Sequence, residues 1–142
     1  MKYSILLFLF FLGFGCKESK QEVDKEKPKY DLYEPSEMAL LMEYMYEYNL
    51  NLKKDIQAGN IPTEFPNKFL EINTAEMTTT FHRDANFENF SKLFLNTERE
   101  IFNKESTLPF KDRYNNMVNV CISCHQTSCT GPIPRIKKLL IQ

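Results

Sequence analysis

The stretch CISCHQTSC, residues 121–129, constrains this chain more than any other, because it holds three of the four cysteines and one of the two histidines. Cys121, Cys124 and His125 stand in the order C-x-x-C-H, the pattern of covalent c-type haem attachment. A zinc site, a redox dithiol and a structural disulfide use similar residues. On a helix, positions i, i+3 and i+4 share one face. Both thiols then reach the vinyl edge of one porphyrin, and His125 sits beneath the iron as the proximal ligand. A zinc site would draw on Cys121, Cys124, His125 and Cys129, but all four lie within nine residues, whereas structural zinc sites pair two separated half-sites. A thioredoxin-type dithiol opens a helix after a strand, and no strand pattern precedes this one. The expected cofactor is one covalent haem c, with Cys121 and Cys124 as thioether positions.

The N-terminus fits that chemistry. Met1-Lys2 is a minimal basic start, residues 5–14 are apolar almost throughout, and Gly15-Cys16 follows. This reads as a signal peptide over residues 1–15, with an apolar run too short to span a bilayer comfortably. A cysteine after a small residue resembles the lipobox of bacterial lipoproteins, in which Cys16 is lipidated and becomes the new N-terminus; Gly13 stands where lipoboxes usually carry leucine. Residues 16–33 are charged and nearly free of aliphatic side chains, as in a flexible tether. Residues 34–142 then form one modest domain. The plan is that of an exported protein of the bacterial periplasm or cell envelope, lipid-anchored to a membrane. With a formal net charge of -1, nothing points to nucleic acid.

The domain reads as all-α. Ser36 can cap a first helix whose stripe runs Met38, Leu41, Met45, Tyr48, Leu52, Ile56, with Gly59 ending it. A second segment around Phe65, Phe69, Ile72, Met77 and Phe81 is broken by Pro62, Pro66 and three threonines, and predicts one short helix or two. Asp84 or Asn86 caps a third helix bearing Phe87, Phe90, Phe94, Thr97 and Ile101. Thr107 caps a fourth, with Pro109 in its first turn and Phe110, Tyr114, Met117, Cys121 and Cys124 along one face. After Gly131-Pro132, a short terminal helix docks through Ile136, Leu139 and Leu140. Four such helices predict an antiparallel four-helix bundle with haem on its last long helix.

His125 supplies one axial ligand, and the other must come from the opposite haem face. Met117, on the same helix, is poorly placed. The first helix offers Met38, Met42 and Met45; Met45, central in the apolar stripe, is favoured and Met42 is the alternative. Methionine is also common core filler. His82, in a loop-like stretch, reads as a surface residue and a less favoured ligand, and Cys129 has no evident partner.

A helical bundle with CISCH on its last helix resembles the cytochrome c′ family and its methionine-ligated, low-spin relatives, over Pro35 to Cys129. The chain departs from that family by continuing through QTSCTGPIPRIKKLLIQ, where members usually stop, and by a short loop between its second and third helices. The resemblance implies an axial methionine on the first helix, where Met38, Met42 and Met45 stand, and pairing of two copies through first helices, for which EYMYEYN offers tyrosines. The expected function is electron transfer by a His–Met haem to a redox partner protein, with Arg135, Lys137 and Lys138 as a docking rim or propionate neighbours. The alternatives are a five-coordinate protein that binds or senses nitric oxide or carbon monoxide, and a zinc- or disulfide-stapled lipoprotein that mediates contacts. No acid–base or nucleophile constellation argues for an enzyme.

Overall fold

The computed structural model describes residues 34–60 and 62–142. The signal peptide, Cys16 and the tether lie outside the described residues. The described residues contain helices and no strand, as expected of an all-α chain and compatible with a helical bundle.

Helix α1, Glu37–Gln57, starts where the Ser36 hydroxyl accepts the Ala39 amide at 3.2 Å. It ends before Gly59, whose φ of 79° is costly for any residue with a Cβ. Its buried face is Met38, Leu41, Met45, Asn49 and Leu52. Asn49 takes the place expected of Tyr48, which is half-buried with its ring 5.2 Å from that of Phe69.

The second segment is a 3-10 helix, Asn67–Asn73, opened by Pro66 and burying Phe69 and Ile72. From Thr74 to Arg83 the chain is irregular. It is nonetheless tied to the start of α1: Met38 N–H donates to the Glu76 carbonyl at 2.9 Å, and the Ser36 and Thr78 hydroxyls lie 2.9 Å apart.

Helix α2, Ala85–Ile101, is capped by Asp84, which accepts the Phe87 amide at 2.7 Å. Its buried face is Ser91, Phe94, Leu95, Glu98 and Ile101. Thr97, expected on this face, is half-buried and donates its hydroxyl to Leu93 and Phe94 carbonyls.

Helix α3 is Phe110–Thr127. The expected Thr107 cap is not made. Pro109 occupies the N-cap position, and its carbonyl accepts the Asp112 and Arg113 amides at 3.0 and 3.1 Å. Arg113 holds the preceding loop by donating to the carbonyls of Glu100, Ile101 and Asn103 at 2.9–3.2 Å. The short helix α4, Ile133–Ile136, continues as a 3-10 turn, Lys137–Leu139. Ile136, Leu139 and Ile141 are buried and Leu140 is half-buried. Two devices pin this tail: Lys53 Nζ donates to the Lys138 and Leu140 carbonyls, and Asn115 makes a reciprocal pair with the Ile141 backbone.

Helices α2 and α3 pack along one another, whereas contacts between α1 and α3 are sparse. The site described next opens between α1 and α3.

Candidate functional site

A cavity of about 610 Å³ lies at the C-terminal half of α3. That volume falls within the roughly 300–1,000 Å³ typical of ligand and cofactor sites. One wall carries Cys121, Cys124 and His125 from α3, with Cys129 just beyond it. Another carries Met38, Met42, Met45, Tyr46 and Asn49 from α1. The irregular segment adds Met77, Thr78, Phe81 and His82, α2 adds Phe87 and Phe94, and the tail adds Pro132, Arg135, Ile136 and Leu139.

The helical register of α3 accounts for the first wall. Phe110, Tyr114, Met117, Cys121 and Cys124 follow one face, which is fully buried at Tyr114 and Met117 and half-buried at Cys121 and Cys124. The Cys121 thiol points back to Met117, with Sγ 3.7 Å from Sδ. Cys121, Cys124 and Cys129 are free thiols. Burial pushes the thiols of Cys121 and Cys124 up from their ordinary ionisation range. Both are thus held neutral, which slows oxidation to a disulfide.

Among the described residues, one hydrogen bond orients the His125 ring. Its Nδ1 lies 2.8 Å from the Cys129 carbonyl oxygen. A carbonyl can only accept, so Nδ1 carries a proton, and in the neutral ring Nε2 is the nitrogen with the lone pair. This is the arrangement of a metal-ligating histidine, in which the far nitrogen is oriented by a hydrogen bond from the near one. The position of Cys129 thereby has an account that its side chain did not suggest: its backbone orients His125.

The residues present fit a haem. The cavity is lined mainly by apolar and sulfur-bearing side chains, both cysteines of the motif stand on one wall, and methionines stand on the wall contributed by α1. Met38 and Met45 are buried, and Met42 is half-buried. The zinc alternative fits less well. Among the described residues, no three side chains of His, Cys, Asp or Glu converge as a group that could hold a metal ion.

Several lining residues were not legible as such. Met77 and Phe81 stood out only as a broken periodicity. His82 is exposed, as expected, yet borders the cavity. Arg135 is the one Lys or Arg in the lining; it pairs with Glu43 at 2.6 Å and Glu47 at 3.1 Å and stacks over the Tyr46 ring at 3.8 Å. The Arg135 guanidinium in turn holds the Glu43 carboxyl below its ordinary value. Lys137 and Lys138 are exposed and lie outside the lining. Of the tyrosines on α1, Tyr46 is engaged by Arg135 and Tyr48 by Phe69, and Tyr44 is 39 % exposed.

Comparison of the chain with protein-family models, with curated proteins and with solved structures finds no match. The functional reading therefore rests on the motif and on this geometry.

Proposed function

We propose that this chain is an exported monohaem c-type cytochrome, carrying one electron at a time between partner proteins. The observation that supports it most is the convergence, on one cavity, of Cys121, Cys124, a His125 anchored through Nδ1 and the methionines of α1. When bound, the haem supplies the ferric–ferrous couple.

The chain's own residues attach, orient and exclude. Cys121 and Cys124 would hold the haem as thioethers, each thiol adding across one vinyl group with its hydrogen passing to the neighbouring carbon and no oxidant needed. His125 presents Nε2 while Cys129 O fixes its ring. Met45, or Met42 one turn earlier, would offer a thioether sulfur from the α1 wall, and such a ligand would favour the reduced state and raise the potential. Phe81, Phe87, Phe94 and the tail residues Ile136 and Leu139 keep water away. Arg135, the lining's one guanidinium, neutralises a propionate or forms part of the rim on which a redox partner docks.

The same reading places the haem on α3 of an antiparallel bundle, with Cys16 lipidated to hold the domain at a membrane surface. The five-coordinate, gas-binding alternative differs at one point, the sixth ligand. The test is an intact-mass measurement under denaturing conditions on protein matured with its haem-attachment machinery. The expected mass exceeds that of the chain by one haem, carried on the peptide containing Cys121 to His125. A chain that releases all haem on denaturation, or never gains it, overturns the proposal.

A further inference from the structure

Glu98 is an acid for which the attachment site gives no account. It is fully buried on α2, and neither carboxyl oxygen has a hydrogen-bond partner. No cation faces it. The one buried cation among the described residues, Arg113, spends its guanidinium on the carbonyls of Glu100, Ile101 and Asn103. The titratable groups within electrostatic reach are Tyr48 from α1 and Tyr114 and Cys121 from α3. The 3-10 helix contributes only Phe69 and Ile72 to the core.

An unpaired carboxylate is expensive in such surroundings, so the acid holds its proton. Burial pushes its ionisation up to about 8. The layer also reaches the cavity. Glu98 lies on α2, which packs along α3, and Cys121 of α3 lines the cavity. Asn49, another lining residue, accepts the Tyr114 hydroxyl on its backbone carbonyl at 2.8 Å and leaves its own buried Oδ1 without a donor.

We propose that Glu98 couples proton uptake to reduction of the site, making the potential of this cytochrome depend on pH. The inference rests on the haem reading above and deepens it. In balance, the site accepts one electron from a one-electron donor protein, and the Glu98 carboxylate takes up to one proton from solvent; oxidation returns both. The linkage is reciprocal: whatever factor reduction adds to the proton affinity of Glu98, protonation adds to the electron affinity of the site. A tenfold coupling, modest for linked sites, moves a one-electron potential by about 59 mV.

The experiment is a redox titration of the intact, haem-bearing protein at several pH values spanning about 6 to 10, with Glu98→Gln alongside. The wild-type potential is expected to fall by about 59 mV as pH rises through the window, between two plateaus. Glu98→Gln, fixed in the neutral form, is expected to stay at the upper plateau throughout. A flat wild-type potential, or a variant with the wild-type slope, overturns the inference. A reduced-minus-oxidised infrared spectrum of the wild type near pH 8 gives a second reading that needs no variant. It is expected to show a protonated-carboxyl band gained on reduction and shifted in deuterium oxide, and its absence overturns the inference. Protein that carries haem but shows neither effect leaves the cytochrome reading standing, whereas protein without haem overturns both.

Discussion

The two halves of helix α3 obey the same helical register and come to opposite ends. In the N-terminal half, Arg113 is 5 % exposed and Tyr114, Met117 and Val118 are 0 % exposed, packed into the core beside α2. One and two turns later, Cys121, Cys124 and His125 are only half-buried, and their face meets a space of about 610 Å³. A packed interior leaves few voids larger than a water molecule. The contrast teaches that α3 is a fixed post: its first half is clamped by core packing so that its second half can hold three reactive groups toward an opening.

The largest effect should come from the open half. Replacing Cys121 and Cys124 together by serine should abolish covalent haem, read as loss of haem from the denatured chain, while circular dichroism still reports a folded helical protein. If that double variant unfolds instead, the two halves of α3 are not separable and the comparison fails.

The packed half should respond in stability. Met117→Ala removes a fully buried side chain and should cost about 2–5 kcal/mol in denaturant unfolding of the haem-free protein. Met42→Ala, at a half-buried position facing the cavity, should cost clearly less. Equal costs would mean that the cavity wall is packed as tightly as the core.

Glu98 gives the third effect. Its folded-state ionisation is raised to about 8 from an ordinary 4.5, so the folded chain binds more protons between those values than the unfolded chain does. Its contribution is fully present below about pH 4.5 and is lost as pH rises through about 8, amounting to a few kcal/mol at most. Urea midpoints of the haem-free protein should fall across that window, and Glu98→Gln should flatten the fall. Tyr114→Phe should have the smallest effect, about 1 kcal/mol, through loss of the hydroxyl bond to the Asn49 carbonyl.

What was legible in the sequence was whatever repeats or punctuates. The Ser36 cap, the stop at Gly59, the Asp84 cap and the face joining Tyr114 to Cys124 all follow from spacing and local hydrogen-bonding chemistry. The phase of α2 was misread because Glu98 and Ser91 stand where polar residues normally face water, which drew the stripe through Thr97 instead. Asn49 displaced Tyr48 from the face of α1 for a related reason: its amide donates to the Met45 carbonyl at 3.0 Å, its backbone carbonyl accepts from Tyr114, and polarity alone cannot reveal such partners. The Thr107 cap failed because α3 begins at Phe110 with Pro109 as its N-cap, and the loop before it is held by Arg113 reaching back thirteen residues to the Glu100 carbonyl, a tie no local pattern reveals. Cys121, Cys124 and His125 and the methionines Met38, Met42 and Met45, all singled out in the sequence, line one cavity. The contribution of Met77, Phe81 and His82 was not legible, since an irregular segment is placed by its ties to Ser36 and Met38 rather than by its own periodicity.

The central claim is that the cavity holds a haem between His125 and a methionine of α1. It is tested most directly by optical spectra of the matured protein, oxidised and reduced, with and without carbon monoxide, for wild type, Met45→Ala and Met42→Ala. The account predicts sharp low-spin bands in the wild type that carbon monoxide leaves unchanged, and a high-spin, carbon-monoxide-binding form in one of the two variants. A colourless protein would contradict the claim outright, and a wild type already high-spin would replace the electron carrier with a gas-binding protein.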